Sequence, residues 1–149
     1  MKSLYKLGVA LTLAAALVGC KSDREKLVES RFDFQKTYDE QTEQSVKNFA
    51  VLRENVPESK IREVIKKHRS FEQGRQDILD LYSEKNFTDA EFTQIMDARQ
   101  RIMAGQQPSA EQKPAMEKLV ELMQARYEDA SYKEQGKVLF DAVLADLDK

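Results

Sequence analysis

Chemistry needs a nucleophile, a base or a set of ligands, and this 149-residue chain has few of each: one Cys at 20, one His at 68 and no Trp. A single thiol excludes an internal disulfide framework, a four-Cys zinc site and a cysteine-held cluster within one chain. A general base needs a nucleophile or substrate group beside it. His68 falls instead on an apolar helical stripe between Ile65 and Phe71, the place of a packed or boundary histidine. Thioethers bind Cu(I), so Met96 and Met103 with His68, and the second pair Met116 and Met123, define a metal-binding alternative. Seven apart on a helix is also the spacing of a core stripe, and the core reading is preferred. The carboxylates Asp77, Asp80 and Glu84 stand at the surface spacing of solvated charge pairs. No Gly-rich phosphate loop, His-x-x-x-His pair or Ser-centred elbow occurs. The expectation is a binding protein and not an enzyme, with no catalytic residue, no bound cofactor and no dedicated metal site.

Cys20 is placed by what precedes it. Lys2 and Lys6 form a basic start, Leu7 to Val18 an apolar run, and Gly19 a small residue before the cysteine, which is the layout of a secretory signal. Twelve residues of helix reach about 18 Å, short of the ~30 Å hydrocarbon core, so the run reads as a signal and not a span. Leu17-Val18-Gly19-Cys20 resembles the lipobox of bacterial lipoproteins. That resemblance implies cleavage before Cys20, diacylation of its thiol and acylation of the new amino group. The only cofactor-like group expected is thus the covalent lipid at Cys20, which makes the membrane a partner. Two or three acyl chains anchor stably where one does not. The alternative is an ordinary signal peptide with a chance cysteine near its cleavage site. In proteobacterial lipoproteins an Asp directly after the lipidated Cys tends to retain the protein in the inner membrane. Lys21 stands there, so the expected location is the outer membrane, facing the periplasm. The organisation expected is residues 1–19 as lipoprotein signal peptide, 20–26 as lipidated Cys with a short tether, and 27–149 as a helical domain.

Removing residues 1–19 takes away two lysines and no acid, which leaves 22 basic against 26 acidic side chains. A nucleic-acid binder with a broad basic surface is therefore not expected. Lys60, Arg62, Lys66, Lys67 and Arg69 make one basic run, broken by Glu63. It reads as a solvated helix face, with anionic lipid head groups as the alternative.

The elements that must position these residues read as helices throughout. Breakers after the signal are few: Pro57, Pro108 and Pro114, with Gly74, Gly105 and Gly136. An all-α chain of four to five amphipathic helices is expected, as a small bundle or as elongated hairpins. Leu27, Phe34, Tyr38, Phe49 and Leu52 predict a helix from Asp23 to about Arg53. Asn55-Val56-Pro57-Glu58 offers an N-cap and an early-turn Pro for a second helix carrying Ile61, Val64, Ile65, His68, Phe71, Ile78, Leu79 and Tyr82. Thr88 and Glu91 form a capping box for a third, with Phe87 and Phe92 as its staple and Gly105 at its left-handed end. Ser109 and Gln112 cap a fourth, which Pro114 delays. After Tyr127 the stripe changes phase, so either Ser131 with Glu134 caps a fifth helix or one helix bends.

The stretch Gly74 to Phe92, running on through Ile95, Met96 and Arg99, resembles the Spy/CpxP group of periplasmic stress proteins. In that group a helix ends in a short turn with a Phe before an acidic start opens the next. Phe87-Thr88-Asp89-Ala90-Glu91 and Pro108-Ser109-Ala110-Glu111-Gln112 match in part its Leu-Thr-x-x-Gln motifs, and Cys20 is a departure, since family members are mostly soluble. The resemblance implies a cradle-like helical dimer that holds unfolded clients or modulates an envelope sensor without ATP. The leading expectation is a lipid-anchored, periplasm-facing interaction protein, chaperone-like or an envelope-stress accessory factor, that acts on a protein partner, unfolded clients or a second copy. A pilotin-like escort lipoprotein that cradles a partner helix is the alternative. A lean apolar fraction leaves stripes short of cover in a monomer. Phe32, Phe34 and Tyr38 near the anchor, and Leu139, Phe140 and Val143 near the C-terminus, are the sets expected to form an exposed interaction surface.

Overall fold

The computed structural model describes residues 21–149. The expected signal segment and Cys20 lie outside the described residues. Among the described residues there are seven helices and no strand, so the fold is all-α: α1 (Asp23–Arg31), α2 (Phe34–Leu52), α3 (Glu58–His68), α4 (Phe71–Leu81), α5 (Asp89–Met103), α6 (Lys113–Glu128) and α7 (Ala130–Leu147). α1 starts at Asp23, where the helix reading expects it and inside the segment expected to be tether, with Ser22 and Glu25 forming its capping box.

The count exceeds four to five because two predicted helices are each broken by a side chain that caps a new one. Phe32 is extended, and Asp33 accepts from the Lys36 amide to open α2. Ser70 and Gln73 form a reciprocal capping box that opens α4 directly after α3 ends at His68. Short polar side chains compete for backbone donors and end a helix even where the apolar spacing runs on. Asn55 does not cap α3; Pro57 takes the cap position with no side-chain bond. At the far end Asp129, not Ser131, accepts from the Tyr132 amide, so α6 and α7 are two helices meeting at one residue.

Three expectations hold in detail. Thr88 and Glu91 make their capping box. Gly105 takes φ +73°, and the Gln106 and Gly105 amides close a Schellman motif on the Arg101 and Ile102 carbonyls at 2.8 and 2.9 Å. Regular α6 waits until Lys113, with Pro114 in its first turn, although Ser109 does not cap it and Gln112 takes the cap position with no side-chain bond.

The helices bury two separate cores. Val28, Ile78, Leu79, Tyr82, Phe87, Phe92, Ile95, Met96, Ala115 and Leu119 draw together α1, α4, α5 and α6. Both staple residues, Phe87 and Phe92, are in that core. Val46, Phe49, Ile61, Ile65, Val143 and Leu147 draw together α2, α3 and α7. Ion pairs brace the second core from outside. Arg62 forks onto Glu43 at 2.6 and 2.8 Å, and Arg53 onto Asp148 at 2.6 and 2.9 Å. The halves meet where α2 packs on α4 and where α6 meets α7.

Candidate functional site

α3 has the strongest amphipathic stripe: Ile61 and Ile65 enter the second core and His68 closes the helix at the rim. α7 reaches the same core through Val143 and Leu147, with Leu139 half-buried against it. Its first half, residues 130–138, is exposed along its whole length. Between that unsupported half and the end of α3 lies an open groove of about 470 Å³, lined by His68 and by Ser131, Glu134, Gln135, Val138, Leu139 and Ala142 of α7. The apolar part of its wall is Val138, Leu139 and Ala142 of α7, and Ser131, Glu134 and Gln135 line the rest. A second hollow of about 380 Å³ continues it past Ser131 and Gln135 to Leu122, Ala125 and Arg126 of α6.

The polar end of the groove is organised by Asp146, which no spacing rule singled out. Its carboxylate accepts from Lys67 at 2.6 Å and from Lys149 at 2.6 Å, and His68 Nε2 lies 2.9 Å from it. The side chain is 13% exposed. Three cationic or potentially cationic partners, Lys149 first, then Lys67 and His68, hold its carboxyl far below the ordinary carboxylate range. The same effect, led by the Arg53 fork, lowers Asp148 at the C-terminus of α7. These pairs pin the last turn of α7 to α2 and α3 while its first turns project freely.

The histidine therefore stands at a core boundary with its ring bonded to a structural carboxylate. Ser131, the hydroxyl lining the same groove, accepts from Gln135 at 3.3 Å. The candidate copper ligands are not brought together. Met96 is buried in the first core, Met103 is 76% exposed at the end of α5, and His68 belongs to the other half of the molecule. Met116 packs against the first core and Met123 is exposed. Among the described residues no three His, Cys, Asp or Glu side chains form a metal-holding group, and no helix is long and apolar enough to cross a membrane.

Of the six residues expected to form an exposed surface, the structure leaves one open. Tyr38 is buried between α2 and α4, and Val143 is 2% exposed. Phe32 and Phe34 meet with tilted rings at 5.4 Å and pack half-buried on the first core, where the Arg99 and Arg75 guanidiniums cover them. Leu139 is half-buried, while Phe140 is 42% exposed and stacks on Phe49 at 5.2 Å. The extra helix breaks account for the difference at Phe32, Phe34 and Tyr38, since they fold α1 and α2 back onto neighbours that one long helix would not reach. The exposed apolar side chains lie elsewhere: Val51 and Leu52, Ile102 and Met103, Val120, Met123 and Tyr127, and Tyr132 and Val138.

The chain matches no family model, no curated protein and no solved structure. Its chemistry must therefore be argued from the groove, the charges and the exposed apolar rows. The groove, with Val138, Leu139 and Ala142 along α7 and His68 beside them, has a shape and chemistry that complement an apolar polypeptide segment.

Proposed function

We propose that this protein is a lipid-anchored helical interaction protein of the bacterial envelope, acylated at Cys20, held at the outer membrane and facing the periplasm. Its work is binding, not catalysis. The observation that carries this reading is the groove between His68 and the unsupported half of α7, whose apolar wall has no cover among the described residues. The groove takes an apolar segment of another polypeptide, in the manner of a chaperone-like or envelope-stress accessory factor that needs no nucleotide. Val138, Leu139 and Ala142 supply apolar contact, and side-chain order gained on binding offsets part of that gain.

The continuation of the groove along α7 onto α6 favours escort of one amphipathic helix as the second reading, since a trough along a helix suits a helix laid beside it. One experiment separates the two. The acylated full chain in detergent micelles is mixed with a chemically unfolded client, and light scattering follows aggregation. Suppression that Val138→Asp abolishes supports the chaperone-like reading. No suppression, together with a single crosslinked partner in intact cells from a photoreactive residue at 138, supports escort. No suppression and no crosslink at 138 refutes both.

A further inference from the structure

The groove leaves one exposed apolar row unused. Val120, Met123 and Tyr127 follow one another along a single face of α6, and Tyr132 of α7 meets Tyr127 edge-on at 5.7 Å across the elbow at Asp129. Leu122, half-buried, is the last α6 side chain against the first core, and Leu119 is the last one buried in it. At that point Lys118 bonds Glu91 at 2.9 Å and its ammonium lies 5.4 Å from the centre of the Phe87 ring, beside the N-terminal end of α5. α6 returns antiparallel to α5, because Arg101 in the last turn of α5 holds the loop carbonyl of Gln107 at 3.0 Å. The end of α6 at Glu128 therefore projects past the start of α5 by about 12 Å.

The beginning of α1 lies at that same end of the molecule. Arg24, 5% exposed, donates to the Phe87 carbonyl, pairs with Asp89 at 3.1 Å and covers the Phe92 ring. Ser22 caps α1, so only Lys21 separates Cys20 from the folded domain. Two extended residues reach about 7 Å, roughly half the projection of the elbow. Acyl chains on Cys20 thus hold the leaflet closer to the body than the elbow extends.

We infer that the row Val120, Met123 and Tyr127, with Tyr132, is a second membrane contact that inserts at the interface of the leaflet holding the Cys20 lipid. The inference rests on the proposed acylation of Cys20. Tyrosines suit this level, with the ring among upper acyl carbons and the hydroxyl among head groups. Arg126 and Lys133 stand against Glu128 and Asp129, so the elbow is near neutral. Apolar burial holds it, not attraction to anionic lipid.

The chain has no Trp, which makes single introduced Trp residues clean reporters. The acylated full chain carrying Tyr127→Trp is reconstituted into phosphatidylethanolamine and phosphatidylglycerol vesicles with brominated acyl chains. Met123→Trp is a second reporter, and Leu52→Trp, exposed at the end of α2, is the control. Emission at 127 and 123 should fall about twofold or more, and emission at 52 should stay unchanged. Fatty-acid labelling of Cys20 without quenching at 127 and 123 would overturn the membrane contact and leave the anchor standing. Equal quenching at 52 overturns it as well. Emission that is blue-shifted and concentration-dependent in detergent, without quenching in vesicles, assigns the row to a second copy and overturns it likewise. Absence of label at Cys20 removes the anchor and this contact together.

Discussion

The Tyr38 hydroxyl donates to the Arg69 carbonyl at 2.8 Å, across 31 residues of chain, and so caps the end of α3 from α2. The same ring lies over Gly74, where an added Cβ would stand 3.2 Å from Tyr38 Cδ2. One aromatic side chain thus holds the joint between α3 and α4 and the contact between the two cores.

That geometry separates two glycines in helices. Gly136 has nothing within 4 Å of its would-be Cβ, so Gly136→Ala should stabilise the chain by about 0.5–1 kcal/mol through backbone entropy alone. Gly74→Ala should gain clearly less, because the Tyr38 ring must give way. Tyr38→Phe should cost about 1 kcal/mol by leaving the Arg69 carbonyl without its donor. Denaturant midpoints of the three variants check the order, and equal gains from both alanines would contradict the close contact at Gly74.

Thr88→Ala should cost about 1 kcal/mol through loss of the N-cap of α5. Glu91→Gln should keep most of the cap while weakening the Lys118 pair, so its cost should be smaller. Thermal unfolding followed by far-ultraviolet circular dichroism measures both.

The class of fold and most helix starts were legible in the residues, because Thr88 with Glu91, Gly105 and Pro114 act locally and their geometry follows from three or four neighbours. The breaks at Asp33 and Ser70 were not. The apolar spacing continues across both, and the Ser70-x-x-Gln73 signature lies inside a stripe that reads as unbroken. Surface exposure at Tyr38 was misjudged for the same reason, while Val143 is buried because α7 crosses α2 and α3, a contact between segments far apart in sequence. Asp146 as the partner of His68 depends on the crossing of α3 and α7, which lie far apart in sequence, so only the folded chain reveals the groove's polar end.

Asp146 gives the chain an acid-sensitive clasp. A carboxyl held below its ordinary pKa of 3.8 stabilises the fold fully above that value, and this contribution is lost progressively as pH falls below it. Asp146→Asn should lower stability at neutral pH and flatten its fall in acid, with α7 loosening first. Denaturant midpoints taken from about pH 6 to about pH 2 check this, and a variant with an unchanged pH profile would refute the clasp.

Cys20→Ser should abolish fatty-acid incorporation and release the chain from the membrane fraction in low-detergent buffer, because the apolar row on α6 alone buries too little to anchor it. A Tyr127→Asp variant should keep the label. Retention of the serine variant in the membrane fraction would show another mode of attachment.

The two cores are interleaved along the chain, with three crossings at Phe32-Asp33, Arg69-Ser70 and Asp129. When such a polypeptide emerges N-terminus first, α1, α4, α5 and α6 can close their core once Glu128 has appeared. The paired faces of α2 and α3, with Val46, Phe49, Ile61 and Ile65, stay bare until the final eighteen-residue helix delivers Val143 and Leu147. Closure of the second core therefore waits on α7. A ribosome that stops before α7 releases a chain half folded and half sticky, and no single proteolytic nick can free one half from the other intact.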